Sequence, residues 1–140
     1  MNYGAIGGVI GHEISHGFDD QGRKSDARGV ERDWWTAEDG QRFVAISDKL
    51  VAQYNAFCPL EGQCVNGRVA LGENIADLAG LTVALDAYRA SLGGKPSPVI
   101  DGLTGEQRVF LGWAHVWGSV VRDGERSRGR GTGPEGAPGC

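Results

Sequence analysis

Apolar residues recur at helical spacing in four stretches of the chain, each bounded by glycine, proline or a capping residue. From about Gly4 to Phe18, Ile6, Ile10 and Ile14 return every four residues and predict a helix buried along that stripe. Glycines at 4, 7, 8 and 11 lower its intrinsic propensity, so this helix depends on close packing against its neighbours. A loop rich in Asp and Gly follows, from Asp19 to Asp33. Thr36, with acids two and three positions on, caps a second helix carrying Phe43, Ile46, Leu50, Tyr54 and Phe57 on one face. The stretch from Cys58 to Cys64 ends it. The third helix is predicted from about Leu71 to Leu92, with Leu71, Ile75, Leu78, Leu85, Tyr88 and Leu92 as its stripe and Gly93-Gly94 as its stop. The fourth opens on a capping box, Thr104-Gly105-Glu106-Gln107. Val109, Phe110, Trp113, Val116, Trp117 and Val120 form its apolar face, and the two tryptophans are read as core.

After about Arg122 the periodicity is gone. The tail is Gly, Arg, Pro and Ser with no large apolar residue, a composition that cannot offset the entropy of ordering. The chain therefore reads as mainly α, with about four helices over residues 1–122 and a disordered tail over 123–140.

Composition narrows the function. With 140 residues and a formal net charge of -4, the chain is long enough for one modest core and lacks the basic surface that phosphate binding needs. Nucleic acid is set aside as a partner. No stretch is long and apolar enough to cross a bilayer, and Met1-Asn2-Tyr3-Gly4 lacks the basic start and apolar run of a signal peptide. Three cysteines exclude a four-cysteine zinc site. Cys58 and Cys64 flank a Pro- and Gly-containing loop. Either they are two separate thiols or they form a short-loop disulfide, the reading preferred here. A disulfide points to an extracytoplasmic location, periplasmic or secreted. Separate thiols leave a cytoplasmic one open.

The chemistry lies in His12-Glu13-Ile14-Ser15-His16. On a helix, residues four apart differ by about 40° around the axis and stack one turn apart, so two imidazoles so placed can hold one metal ion. Glu13 lies about 100° round from His12, within reach of a water on that ion. A lone histidine is more often a satisfied structural residue. Two of the three histidines in the chain, bracketing a glutamate on an apolar helix, favour metal. Zinc needs a third protein ligand, and Glu73 is the candidate. Glu73 and Asp77 share a face of the third helix that continues to Gly80 and Ala84, small enough to admit the first helix closely. Standing alone, that pair could equally be solvated acids near a helix N-terminus.

The segment from Asn2 through His12-Glu13-Ile14-Ser15-His16 to Gly22 closely resembles the active-site segment of the neprilysin family of zinc peptidases. Val65-Asn66-Gly67 followed by Leu71-Gly72-Glu73-Asn74-Ile75-Ala76-Asp77 resembles that family too, as do Asp33-Trp34-Trp35-Thr36 and Phe110-Leu111-Gly112-Trp113-Ala114. The resemblance spans residues 1 to about 122 and is closest to the bacterial oligopeptidase-O branch. It implies a thermolysin-like gluzincin and a metalloendopeptidase acting on oligopeptides. One zinc ion would be held by His12, His16 and Glu73. A metal-activated water would be the nucleophile and Glu13 the general base. Asp77 would orient His12 and belong to the catalytic set.

The chain also departs from the family pattern. Family members are several times longer. They carry an upstream lobe with a substrate-binding Asn-Ala-x-Tyr-type segment, and downstream a His and an Arg that steady the oxyanion. None of these is in the sequence, and His115 is not at the spacing of the missing His. The chain is therefore expected to be a partial catalytic domain. The alternative to a working peptidase is a catalytically incomplete zinc-binding fragment.

Overall fold

The computed structural model describes residues 1–118. The expected disordered tail, 123–140, lies outside the described residues. The N-terminal helical run opens with a π-helical turn, Tyr3–Gly7, continues as α1, Gly8–Ser15, and tightens into a 3-10 turn, His16–Phe18. A second short 3-10 turn, Gly22–Lys24, precedes α2, Ala37–Asn55; α3 is Leu71–Ser91 and α4 is Gly105–Trp117. The mainly α expectation is borne out, and no strand forms among the described residues. Isolated bridges pin three loops, at Ser25–Glu31, Leu60–Gln63 and Ile100–Leu103.

The helix ends follow local chemistry. Thr36 Oγ1 accepts the Asp39 amide at 3.1 Å at the start of α2. Thr104 and Gln107 complete the capping box of α4, with each side chain taking the other's amide, at 3.2 and 2.8 Å. After α3, Gly93 and Gly94 take positive φ values of 57° and 78°, a left-handed exit open to glycine.

The described chain falls into two compact units. The first holds Met1–Ser15 and Ala76–Gly118. Here one expectation is overturned. Ile6, Ile10 and Ile14 are 60%, 54% and 66% exposed, so they are not the buried stripe. The buried face is Gly4, Gly8, Gly11 and His12. A Cβ on Gly11 would stand 2.8 Å from Gly80 Cα, one on Gly8 would stand 2.7 Å from the Trp113 ring, and one on Gly4 would overlap the Val109 carbonyl. The close approach of main chain to neighbouring elements selects the residues without side chains, and the isoleucines take the opposite face. The small face predicted on α3 holds: Ala84 is buried and Gly80 meets the main chain of α1, and Ala76, not part of that expectation, is buried as well. Leu78, by contrast, points outward, while Leu85, Tyr88 and Leu92 are half-buried. On α4, Val109 is buried and Trp113 half-buried, but Phe110, Val116 and Trp117 are exposed and do not join the core. Trp113 packs edge-on against Trp117, their centroids 5.6 Å apart.

The second unit, in its described part, is His16–Ile75. The buried positions of α2 are Ser47 and Val51; Phe43, Leu50 and Tyr54 are half-buried, while Ile46 and Phe57 face out, against expectation. Gly67 explains the choice. Its amide donates to Asn55 Oδ1 at 2.8 Å, and a Cβ there would overlap the Val51 carbonyl, so the loop before α3 lies on the Val51 face. Trp35 packs edge-on against Phe43 at 5.6 Å, and the Arg23 guanidinium lies over both rings, at 5.5 and 5.1 Å. Those contacts tie the loop that follows His16 to the start of α2. Cys58 and Cys64 form a disulfide. The Val65 amide, donating to Phe57 O at 2.9 Å, closes the same loop.

Candidate metal centre

In the first unit, His12 sits on the glycine face of α1 and is 6% exposed. The pairing of Gly11 with Gly80 brings α3 against the main chain at this level, and a Cβ on Gly80 would collide with the His12 amide. The Asp77 carboxylate, one turn before Gly80 on α3, therefore reaches the imidazole. His12 Nδ1 and Asp77 Oδ1 lie 2.7 Å apart. Glu13, the next residue of α1, is exposed.

In the second unit, His16 opens the 3-10 turn that ends the helical run. Its Nδ1 lies 2.8 Å from Asp19 Oδ2, and its Nε2 lies 3.7 Å from Glu73 Oε2. Asp19 is buried, which by itself raises its carboxyl pKa. Hydrogen bonds from the Gly22 amide, from His16 and from the Gln21 amide, with the His16 charge, outweigh burial and hold that carboxyl below its ordinary value. Glu73 is half-buried in the first turn of α3, where the helix dipole favours a carboxylate.

The two histidines share one arrangement. Each offers Nδ1 to a carboxylate, the partner that fixes the tautomer of a metal-binding imidazole and leaves Nε2 with its lone pair. Two donors on one tetrahedral zinc, each about 2.1 Å from it, stand about 3.4 Å apart. The 3.7 Å between His16 Nε2 and Glu73 Oε2 suits that spacing, so the donors present fit the ion. Of the candidate residues, His12 and Asp77 meet in the first unit and His16 and Glu73 in the second. Asp19 was not anticipated. Its signal was in the chain nonetheless: an aspartate three residues after His16, followed by Gln21-Gly22, is placed to turn back on its own backbone. His115, exposed in the last turn of α4, takes no part. No helix of the described residues is long and apolar enough to cross a membrane.

The family model for peptidase family M13 matches residues 1–130. Endothelin-converting enzyme 1 of Rattus norvegicus is 45% identical over 123 residues, covering 86% of this chain and 16% of its own length. Neprilysin-21 of Caenorhabditis elegans is 41% identical over 129 residues, 87% of this chain and 17% of its own. Among solved structures, the zinc metalloprotease Zmp1 of Mycobacterium tuberculosis superposes with a TM-score of 0.93 at 51% identity, over 98% of this chain and 22% of that one. PepO from Lactobacillus rhamnosis gives 0.70 at 38% identity, over 86% and 18%. The chain thus spans about a fifth or less of the length of these relatives. With the family model running through both histidines and Glu73, the chain belongs to peptidase family M13, a family of zinc metallopeptidases.

Proposed function

We propose that this chain is the zinc-binding part of a metalloendopeptidase that hydrolyses peptide bonds in oligopeptides, with His12, His16 and Glu73 holding one zinc ion. The observation that carries the reading is the pairing of His16 Nε2 with Glu73 Oε2 at zinc-ligand spacing, with Nδ1 of the same ring secured by Asp19. A bound zinc ion supplies Lewis acidity that makes water a nucleophile near neutral pH and polarises a carbonyl oxygen. Glu13, exposed one residue after His12, is the general base: its carboxylate takes a proton from the attacking water and returns it to the leaving amine. Asp77 holds the proton on His12 Nδ1, and with it the ring's orientation. The peptide substrate, and an extracytoplasmic location supported by the Cys58–Cys64 bridge, belong to the same proposal.

Metal analysis and peptide cleavage test it. The purified chain should retain close to one zinc, released by chelator. Glu73→Gln should weaken zinc sharply, because one of three protein ligands loses its charge. Glu13→Gln should keep zinc and abolish any hydrolysis, because an amide does not take the proton. Zinc retained in full by Glu73→Gln, or lost in Glu13→Gln, would reverse the assignments. A second reading, a zinc-binding but catalytically incomplete fragment, is favoured by the small share of its relatives' length that the chain spans. Full zinc binding without cleavage by the wild-type chain would select it.

A further inference from the structure

Asp19 uses both carboxylate oxygens. Oδ1 accepts the amides of Gln21 and Gly22, at 2.8 and 2.7 Å, and Oδ2 meets His16 Nδ1 at 2.8 Å. Two glycines leave it the room to do so. The turn from His16 to Gly22 closes on itself so tightly that a Cβ on Gly22 would overlap the His16 carbonyl oxygen. That obstacle is main chain and cannot swing aside. On the other side, a Cβ on Gly72 would stand 3.1 Å from Asp19 Oδ2 and 3.2 Å from Asp20 Oδ1. Gly72 immediately precedes Glu73, and the atom it leaves room for is the oxygen that receives His16. The spacing from His16 to Glu73 therefore depends on two positions where any side chain would press on Asp19 or on the turn that carries it.

We propose that Gly22 and Gly72 are positioning residues that clamp Asp19, so that His16 keeps its proton on Nδ1 and turns Nε2 towards Glu73. Gly22 acts through its amide and the closed turn; Gly72 acts by leaving space for Oδ2. The zinc consequence rests on the reading of His16 and Glu73 as ligands. The tautomer consequence does not, because it is a property of the metal-free chain.

The test is nitrogen-15 NMR of the histidine side chains in the metal-free 140-residue chain, well above the ordinary imidazole pKa of about 6.5, paired with zinc titration against a competing chelator. In the wild type, His16 should be protonated at Nδ1. Gly22→Ala and Gly72→Val should give a mixture of tautomers at His16, leave His12 unchanged, and weaken zinc by roughly ten- to a hundredfold, the range for outer-shell changes. Gly72→Ala, which only crowds two carboxylates, should give a smaller shift in the same direction. It keeps the test decisive if the bulkier variants lose helicity by circular dichroism. A His16 tautomer and zinc affinity in Gly72→Ala and Gly22→Ala indistinguishable from wild type would overturn the clamp. Wild-type zinc affinity in His16→Ala would instead overturn the ligand reading, with the metal-free tautomer result still deciding the clamp.

Discussion

His12 Nδ1 and Asp77 Oδ1, 65 positions apart in the chain, meet at 2.7 Å. His12 is 6% exposed, and a histidine so placed needs its ring nitrogens accounted for. Asp77 accounts for Nδ1 and thereby decides which nitrogen can face a metal.

Asp77→Asn should loosen that decision without emptying the position. The amide can still accept through its oxygen but no longer carries charge. Zinc affinity should fall by roughly ten- to a hundredfold, while helicity by circular dichroism stays at the wild-type level. A zinc titration matching wild type within twofold would show that Asp77 does not orient His12.

Gly80 is the steric condition for that contact. A Cβ there would meet the His12 amide and the Gly8 carbonyl, both main chain, so α3 would have to move away from α1. Overpacking of this kind costs about 1–3 kcal/mol or more. Gly80→Ala should lower the thermal midpoint of unfolding and weaken zinc, whereas Leu78→Ala, on the exposed face of the same helix, should do neither. Equal midpoints for the two variants would show that the close approach is not needed.

Much of this was legible in the chain. Helix positions followed from periodicity and caps, because Thr36, Thr104 and Gly93-Gly94 act locally. The HEISH spacing and the Glu73–Asp77 face were readable because helix geometry sets which residues share a side. What hydropathy misread was the inward face of α1: a stripe of Ile6, Ile10 and Ile14 looks buried by transfer energy, yet close helix packing rewards the absence of side chains at Gly4, Gly8 and Gly11. Phe110, Val116 and Ile46 misled for a related reason, since each is apolar and each faces away from its unit. Asp19 was missed because its role depends on a turn that folds the chain back on His16, and periodicity carries no record of turns.

The bridge between Cys58 and Cys64 closes the loop between α2 and the segment leading to α3. Thiol counting under denaturing, non-reducing conditions should find one free cysteine of three in protein from an oxidising compartment. Cys58→Ser with Cys64→Ser should lower stability by about 2 kcal/mol through loop-closure entropy, read as a shift in the denaturant midpoint. Three free thiols would remove the support for an extracytoplasmic location.

Acid should act through two identifiable carboxylates away from the candidate metal centre. Asp26 is held below the ordinary value by the Val30 and Arg28 amides and by Arg32, and Glu106 by Arg89. A carboxylate whose folded pKa is depressed stabilises the fold above its unfolded pKa of about 4, and that contribution is lost as pH falls through the folded value. The wild-type chain should therefore lose stability from about pH 4 downwards. Asp26→Asn with Glu106→Gln should be less stable at pH 7 and lose less between pH 5 and 2. Denaturant midpoints of the pair falling in parallel over that range would contradict the assignment.

The last prediction concerns turnover by this chain itself. In the proposed reading, His12, His16 and Glu73 hold the metal and Glu13 is the base. They leave out two contributions that peptide hydrolysis needs. Donors aimed at the developing oxyanion are worth about a hundred- to a thousandfold each. Holding the peptide in line with the nucleophile contributes a comparable or larger factor through lost translational freedom. The resemblance that assigns the ligands also assigns both contributions to segments with no counterpart in residues 1–118, and the chain matches only 16% and 22% of the length of endothelin-converting enzyme 1 and Zmp1. The 140-residue chain should bind zinc yet cleave a generic quenched-fluorescence peptide slowly or not at all. Any residual cleavage should vanish in Glu13→Gln, which separates it from a contaminating protease. Turnover within the ordinary enzyme range of about 1–1000 per second, abolished by Glu13→Gln, would show that residues of this chain supply the oxyanion and substrate contacts assigned elsewhere.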